Sequence, residues 1–126
     1  MTRTADDLLR ENLKAFGERD AKKRRAIMST LWADDGVLID PDGSHVGPEA
    51  IDEVINRLLL NFPNFVLAEL GPPNTHNGIG RLAWGFGPPG GKPVVTGLDV
   101  MVSNAGRIQT FYTFVDPPRS DGSSEP

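Results

Sequence analysis

Residues 5 to 18 carry Ala5, Leu8, Leu9, Leu13 and Phe16 three and four positions apart, which predicts an amphipathic helix over that stretch. A second helix is predicted over 21–32, with Ile27, Met28, Leu31 and Trp32 on its buried side. The period then changes. "GVLID" reads as a short strand closed by the turn "PDGS", in which Pro41 fixes φ and Gly43 is permissive. "GPEAIDEVINRLLLNF" predicts a third helix over 48–61, with Pro48 in its first turn and Glu49 near the positive end of its dipole. Its apolar stripe is Ile51, Val54, Ile55, Leu58 and Leu59, and Pro63 ends it.

Beyond Pro63 the pattern is β. "NFVLAEL", "HNGIGRLAWGF", "PVVTGLDVMVS" and "RIQTFYTFV" are β-branched and aromatic runs, separated by the turn segments "GPPN", "GPPGG" and "NAG". Helices followed by a meander predict an α+β domain, with the three helices packed on a strongly curved mixed sheet whose last four strands are antiparallel. One domain is expected over 1–117, followed by a disordered tail over 118–126 that has no apolar residue.

A length of 126 residues suits one domain with a real core. No apolar run is long enough to span a bilayer, and the charged N-terminus "MTRTADDLLRENLK" does not resemble a signal peptide, so a cytoplasmic protein is expected. The chain has no cysteine, which excludes disulfides and thiolate metal sites and leaves His45 and His76 as the only soft ligands. No metal or other cofactor is expected. A net charge of −4 argues against nucleic acid, and the one basic run, "RDAKKRR", reads as a solvated helix start.

Asp99 stands in the middle of "TGLDVMVS", where a strand would normally carry valine. Alternation puts it on one face with Val95, Gly97, Met101 and Ser103. In the preceding run His76, Leu82, Trp84 and Phe86 share a parity, with Gly78 and Gly80 between them. Apolar bulk interrupted by missing side chains is how a ligand pocket is lined. The competing reading pairs Asp99 with Arg107 or Arg81. Asp40, kept extended by Pro41, either faces the same pocket or accepts backbone hydrogen bonds to organise its turn. Asp34 and Asp35 read as loop carboxylates.

The segments "LWADDGVLIDPDGSHVGPEAID", "HNGIGRLAWGF" and "TGLDVMVSNAGRIQTFYTF" resemble the nuclear transport factor 2-like superfamily, and within it the SnoaL-like and ketosteroid isomerase-like proteins. The resemblance runs from about Leu8 to Asp116 and implies a cone-shaped fold around an apolar pocket. It also implies roles. Asp40 stands where the isomerases carry the proton-shuttling aspartate, and Asp99 where they carry an aspartate of the oxyanion hole. One element differs: the first-helix tyrosine of those enzymes is replaced by Asn12 or a neighbour, and the only tyrosine here is Tyr112.

These readings together lead to an expected cofactor-independent acid/base enzyme acting on a small lipophilic carbonyl compound, by double-bond isomerisation or cyclisation. Asp40 and Asp99 are the expected catalytic pair. Asn12, Phe16, His76, Leu82, Trp84, Phe86, Met101 and Phe111 are the expected substrate-binding residues. Epoxide hydrolysis is a variant on this fold, but its Asp-Arg-Asp motif is absent. A non-catalytic ligand-binding module and a pure assembly domain are the alternatives. A homodimer is expected because the helices cannot cover both faces of the sheet. Burial beside Trp84 and Met101, together with the charge of Asp40, is expected to raise the Asp99 pKa and make the two carboxyl groups titrate as a coupled pair.

Overall fold

A computed structural model describes residues 3–117, so the tail expected over 118–126 lies outside the described residues. Three helices, α1 (Ala5–Phe16), α2 (Ala21–Leu31) and α3 (Pro48–Asn61), are interleaved with seven strands. These are β1 (Trp32–Asp40), β2 (Gly43–Val46), β3 (Val66–Glu69), β4 (Asn74–His76), β5 (Ile79–Gly87), β6 (Val95–Asn104) and β7 (Arg107–Val115).

The helix limits follow from local chemistry. Thr4 and Asp7 form a reciprocal capping box at the start of α1, and Gly17 closes its end two residues before the limit expected from periodicity. Asp20 caps α2 by accepting from the amides of Lys22 and Lys23. The second helix stops at Leu31 because Trp32 is already extended. Pro48 opens α3 behind Gly47, whose φ of 90° favours glycine.

The sheet runs in the order β2-β1-β7-β6-β5-β3, with β4 pairing β5 beside β3. All pairs are antiparallel except β1 with β7, so the sheet is mixed and its last strands form the expected meander. Two details depart from expectation. The strand after Trp32 starts earlier than "GVLID", and Asp34 and Asp35 are exposed positions within it, beside an irregularity in its pairing with β7. The run "HNGIGRLAWGF" is two strands: Asn77 and Gly78, with φ of 50° and 77°, make a two-residue hairpin turn between β4 and β5.

The helices pack on one face of the sheet. Leu8, Leu9, Met28, Leu31, Ile51 and Ile55 meet Leu82, Met101, Ile108 and Phe111 from the strands in one core. The basic run at the start of α2 is only partly solvated. Arg24 is fully buried and its Nε donates to Asp52 of α3 at 2.5 Å, while Arg19 donates to the carbonyls of Leu59, Phe62 and Phe65. Two arginines thus fix α3 against the rest of the fold. No described helix is long and apolar enough to cross a membrane.

Candidate active site

Between α1, α3 and the concave face of the sheet lies a cavity of about 390 Å³, within the usual range of small-molecule sites, roughly 300–1,000 Å³. Asp40 and Asp99 both line it, together with Asn12, Phe16, Trp84 and Phe86. Its mouth carries Pro41, Asp42, Arg57 and Asn61, and an aromatic cluster of Phe62, Phe65 and Phe86 with ring centroids 5.1–5.5 Å apart flanks it.

Four of the expected lining residues lie elsewhere. His76 ends β4 beyond the hairpin turn, is exposed and contacts Asn77, so it shares no surface with Trp84. Leu82, Met101 and Phe111 have the correct parity but sit at the closed end of the sheet, in the core beneath α1 and α2. Phe111 reaches the site only indirectly, stacking under Phe16 with centroids 6.5 Å apart. Residues not among the expected lining set include Leu38, Val54, Leu67 and Thr113, which complete the walls, and Arg57.

Asp40 ends β1 at the turn into β2. Its Oδ1 accepts from the amides of Asp42 (2.9 Å) and Gly43 (3.1 Å) and lies 3.1 Å from Nε2 of His45. Both readings of Asp40 therefore hold at once: one oxygen organises the turn, and the residue still lines the cavity. Its Oδ2 has no hydrogen-bond partner among the described residues. No periodicity or motif pointed to His45 as a partner of Asp40; the β1–β2 hairpin sets it opposite Leu38 and next to Asp40.

Asp99 is 6% exposed and pairs with no arginine among the described residues: Arg107 is occupied by the carbonyls of Ser29 and Trp32. Thr113, directly opposite on β7, donates its hydroxyl to Asp99 Oδ1 at 3.2 Å. Burial pushes the Asp99 pKa from its ordinary 3.8 to about 7, and the Thr113 hydroxyl and the Trp84 indole N–H pull it back only in part. The charge of Asp40 is not among the causes, so the rise comes from desolvation and not from a coupled pair.

Asn12 of α1 is buried and accepts from the Trp32 indole at 2.9 Å. An indole nitrogen can only donate, so the contact must use Asn12 Oδ1 and the amide nitrogen is left for the cavity it lines. Among the described residues no three His, Asp or Glu side chains cluster closely enough to hold a metal ion.

Three helices on the concave face of a curved mixed sheet, with a cavity enclosed between them, make up the nuclear transport factor 2-like fold. Among proteins of that fold the chain is similar to SnoaL-like proteins. It superimposes on a SnoaL-like family protein from Agrobacterium tumefaciens strain C58 with a TM-score of 0.81 and 29% identity, over 87% of this chain and 95% of the other. A polyketide cyclase-type protein from Sinorhizobium meliloti matches at a TM-score of 0.68 and 19% identity, over 85% and 93% of the two chains. A SnoaL-like protein from Jannaschia sp. CCS1 matches at 0.68 and 13%, over 86% and 85%. No protein-family model and no curated protein sequence matches the chain.

Proposed function

We propose that the protein is a cofactor-independent acid/base enzyme that moves a proton on a small lipophilic carbonyl compound. The observation that carries this reading is that one largely apolar cavity is lined by two carboxyl groups in different surroundings. Asp40 lies near the mouth with one oxygen unpartnered, whereas Asp99 is buried and retains its proton to about pH 7. Environments that separate two carboxyl groups in this way assign a base and an acid.

In this mechanism Asp40 Oδ2 takes a proton from the carbon next to the ligand carbonyl. The electrons of the broken C–H bond move to the carbonyl oxygen, forming an enolate that accepts a hydrogen bond from protonated Asp99. Return of the proton to a different carbon is isomerisation. Attack of the enolate carbon on a second carbonyl of the same molecule is cyclisation. The Agrobacterium relative is named as a candidate isomerase and the Sinorhizobium relative as a candidate polyketide cyclase, in keeping with either outcome.

The anchored Oδ1 of Asp40 also favours a second reading, a non-catalytic binding module in which Asp40 only shapes the turn. The two separate experimentally. Ligands are found by native mass spectrometry against a panel of cyclic ketones, and hydrogen–deuterium exchange next to the ligand carbonyl is then followed. Asp40→Asn should keep the ligand and lose at least a hundredfold in exchange rate. Wild-type protein that binds a ketone without accelerating exchange would show a binder.

A further inference from the structure

Among the described residues one buried side-chain polar atom has no hydrogen-bond partner, and it is Nε1 of Trp84. Trp84 is 7% exposed and lines the cavity, so the orphan N–H belongs to the site and not to the core beneath it. Leaving a buried donor unpaired is costly, and such groups in folded proteins are normally satisfied. The other tryptophan shows the contrast. Trp32 is equally enclosed, and its indole is paired with Asn12.

The register of the sheet aims this donor. Trp84 pairs with Gly97 across β5 and β6, and its indole covers the bare glycine on the face that Asp99 shares two residues later. The N–H is close enough to stabilise the Asp99 carboxylate slightly, yet it falls outside hydrogen-bond geometry with any described acceptor. Thr113 already occupies Oδ1 of Asp99. Two donors, a carboxylic O–H and an indole N–H, therefore stand side by side on an apolar wall, and among the described residues no acceptor meets the indole in full hydrogen-bond geometry.

We propose that the Trp84 indole N–H is a ligand-binding donor that, beside Asp99, receives one oxygen of the ligand: a carbonyl in the ground state and an enolate or phenolate when charge develops. The chemical class is a cyclic ketone or a phenol with an apolar body. A charged donor is not needed, because an indole N–H and a neutral carboxyl can both donate without bringing a net charge into the cavity. The inference rests on the cavity being a ligand site and not on turnover by Asp40, so its test reads binding.

The probe is 2-naphthol, a planar apolar phenol. The chain has two tryptophans, so its nitrogen-15 spectrum holds two indole signals, and Trp84→Phe assigns them. On titration the Trp84 indole proton should move downfield while the Trp32 signal, already bonded to Asn12, stays in place. Trp84→Phe keeps a ring of similar area and should weaken 2-naphthol binding about tenfold, as for loss of one hydrogen bond. Trp84 and Trp32 signals that move equally, or an unmoved Trp84 signal with full affinity in the phenylalanine variant, would overturn the donor role alone. Wild-type protein that binds neither 2-naphthol nor any ketone would remove the cavity reading and the donor role together. If Trp84→Phe fails to fold, the two indole signals are assigned by through-bond NMR of the wild type, whose titration then decides.

Discussion

Trp84 and Gly97 face each other across β5 and β6 so closely that a methyl group added to Gly97 would lie 2.2 Å from the indole ring. The same methyl would stand 2.2 Å from the carbonyl oxygen of Phe114. The ring can lie over β6 only because this position has no side chain. Gly97→Ala should therefore destabilise the fold by about 1–3 kcal/mol or more, the usual range for overpacking, and shift tryptophan emission as the indole is displaced. Urea denaturation followed by fluorescence checks both, and an unchanged midpoint would mean that the ring does not lie there.

Asp99 makes stability depend on pH with a definite sign. Its pKa rises on folding from 3.8 to about 7, so between those values the folded chain binds more protons than the unfolded one. Stability is greatest at the acid end of this window, falls as pH rises through it and levels off above pH 7, a loss of about 4 kcal/mol for this group alone. Asp99→Asn should remove the slope and be more stable than wild type at pH 8, as measured by denaturation at pH 4.5 and 8. It should also lose turnover. An identical slope in the asparagine variant would assign the pH dependence to other groups.

Arg24 and Asp52 form the buried ion pair that joins α2 to α3. Removing one partner strands a charge in the interior. Asp52→Ala should cost about 3–5 kcal/mol, whereas replacing both with apolar residues of similar volume, Arg24→Met with Asp52→Leu, should recover most of it. Thermal melts of the three variants make the comparison. A double variant as unstable as the single one would show that the pair does more than neutralise itself.

The face of the sheet turned away from the cavity carries Ile79, Val102, Tyr112 and Phe114, all exposed. They lie on adjacent strands, with Ile79 opposite Val102 and Leu98 opposite Phe114. An apolar patch of this kind on an open sheet is the expected contact between two copies of the chain. Light scattering should give a dimer at micromolar concentration, and Phe114→Glu should give a monomer that keeps its cavity. A monomeric wild type would end this expectation.

The difference between what was legible and what was not has a consistent physical basis. The helices follow from apolar spacing and caps, and alternation correctly put Gly97, Asp99 and Met101 on the buried face of β6. Parity says which side of a sheet a residue takes. It does not say how far along the cone it lies, and that coordinate separates Trp84, in the cavity wall, from Leu82 and Met101, which the helices cover. His76 was misplaced for a different reason: "NG" is a hairpin signal, and reading through it joined two strands into one. Arg24 looked like surface because a buried arginine is recognisable only with its partner, and Asp52 is 28 positions away.

The parallel pairing of β1 with β7 bears on how the site comes into being. Asp40 is organised within five residues, by the turn that follows it and by His45 of β2, whereas Arg107 reaches Trp32 across 75. A local hairpin forms in microseconds, but closure of a distant parallel pair is slow, because chain entropy must be lost before any contact compensates for it. Thr113 and Val115 of β7 line the cavity, so a chain in which β7 is not docked offers a ligand an incomplete site. A bound ligand should leave the rate of refolding unchanged and lengthen the lifetime of the native state, acting only on the finished molecule.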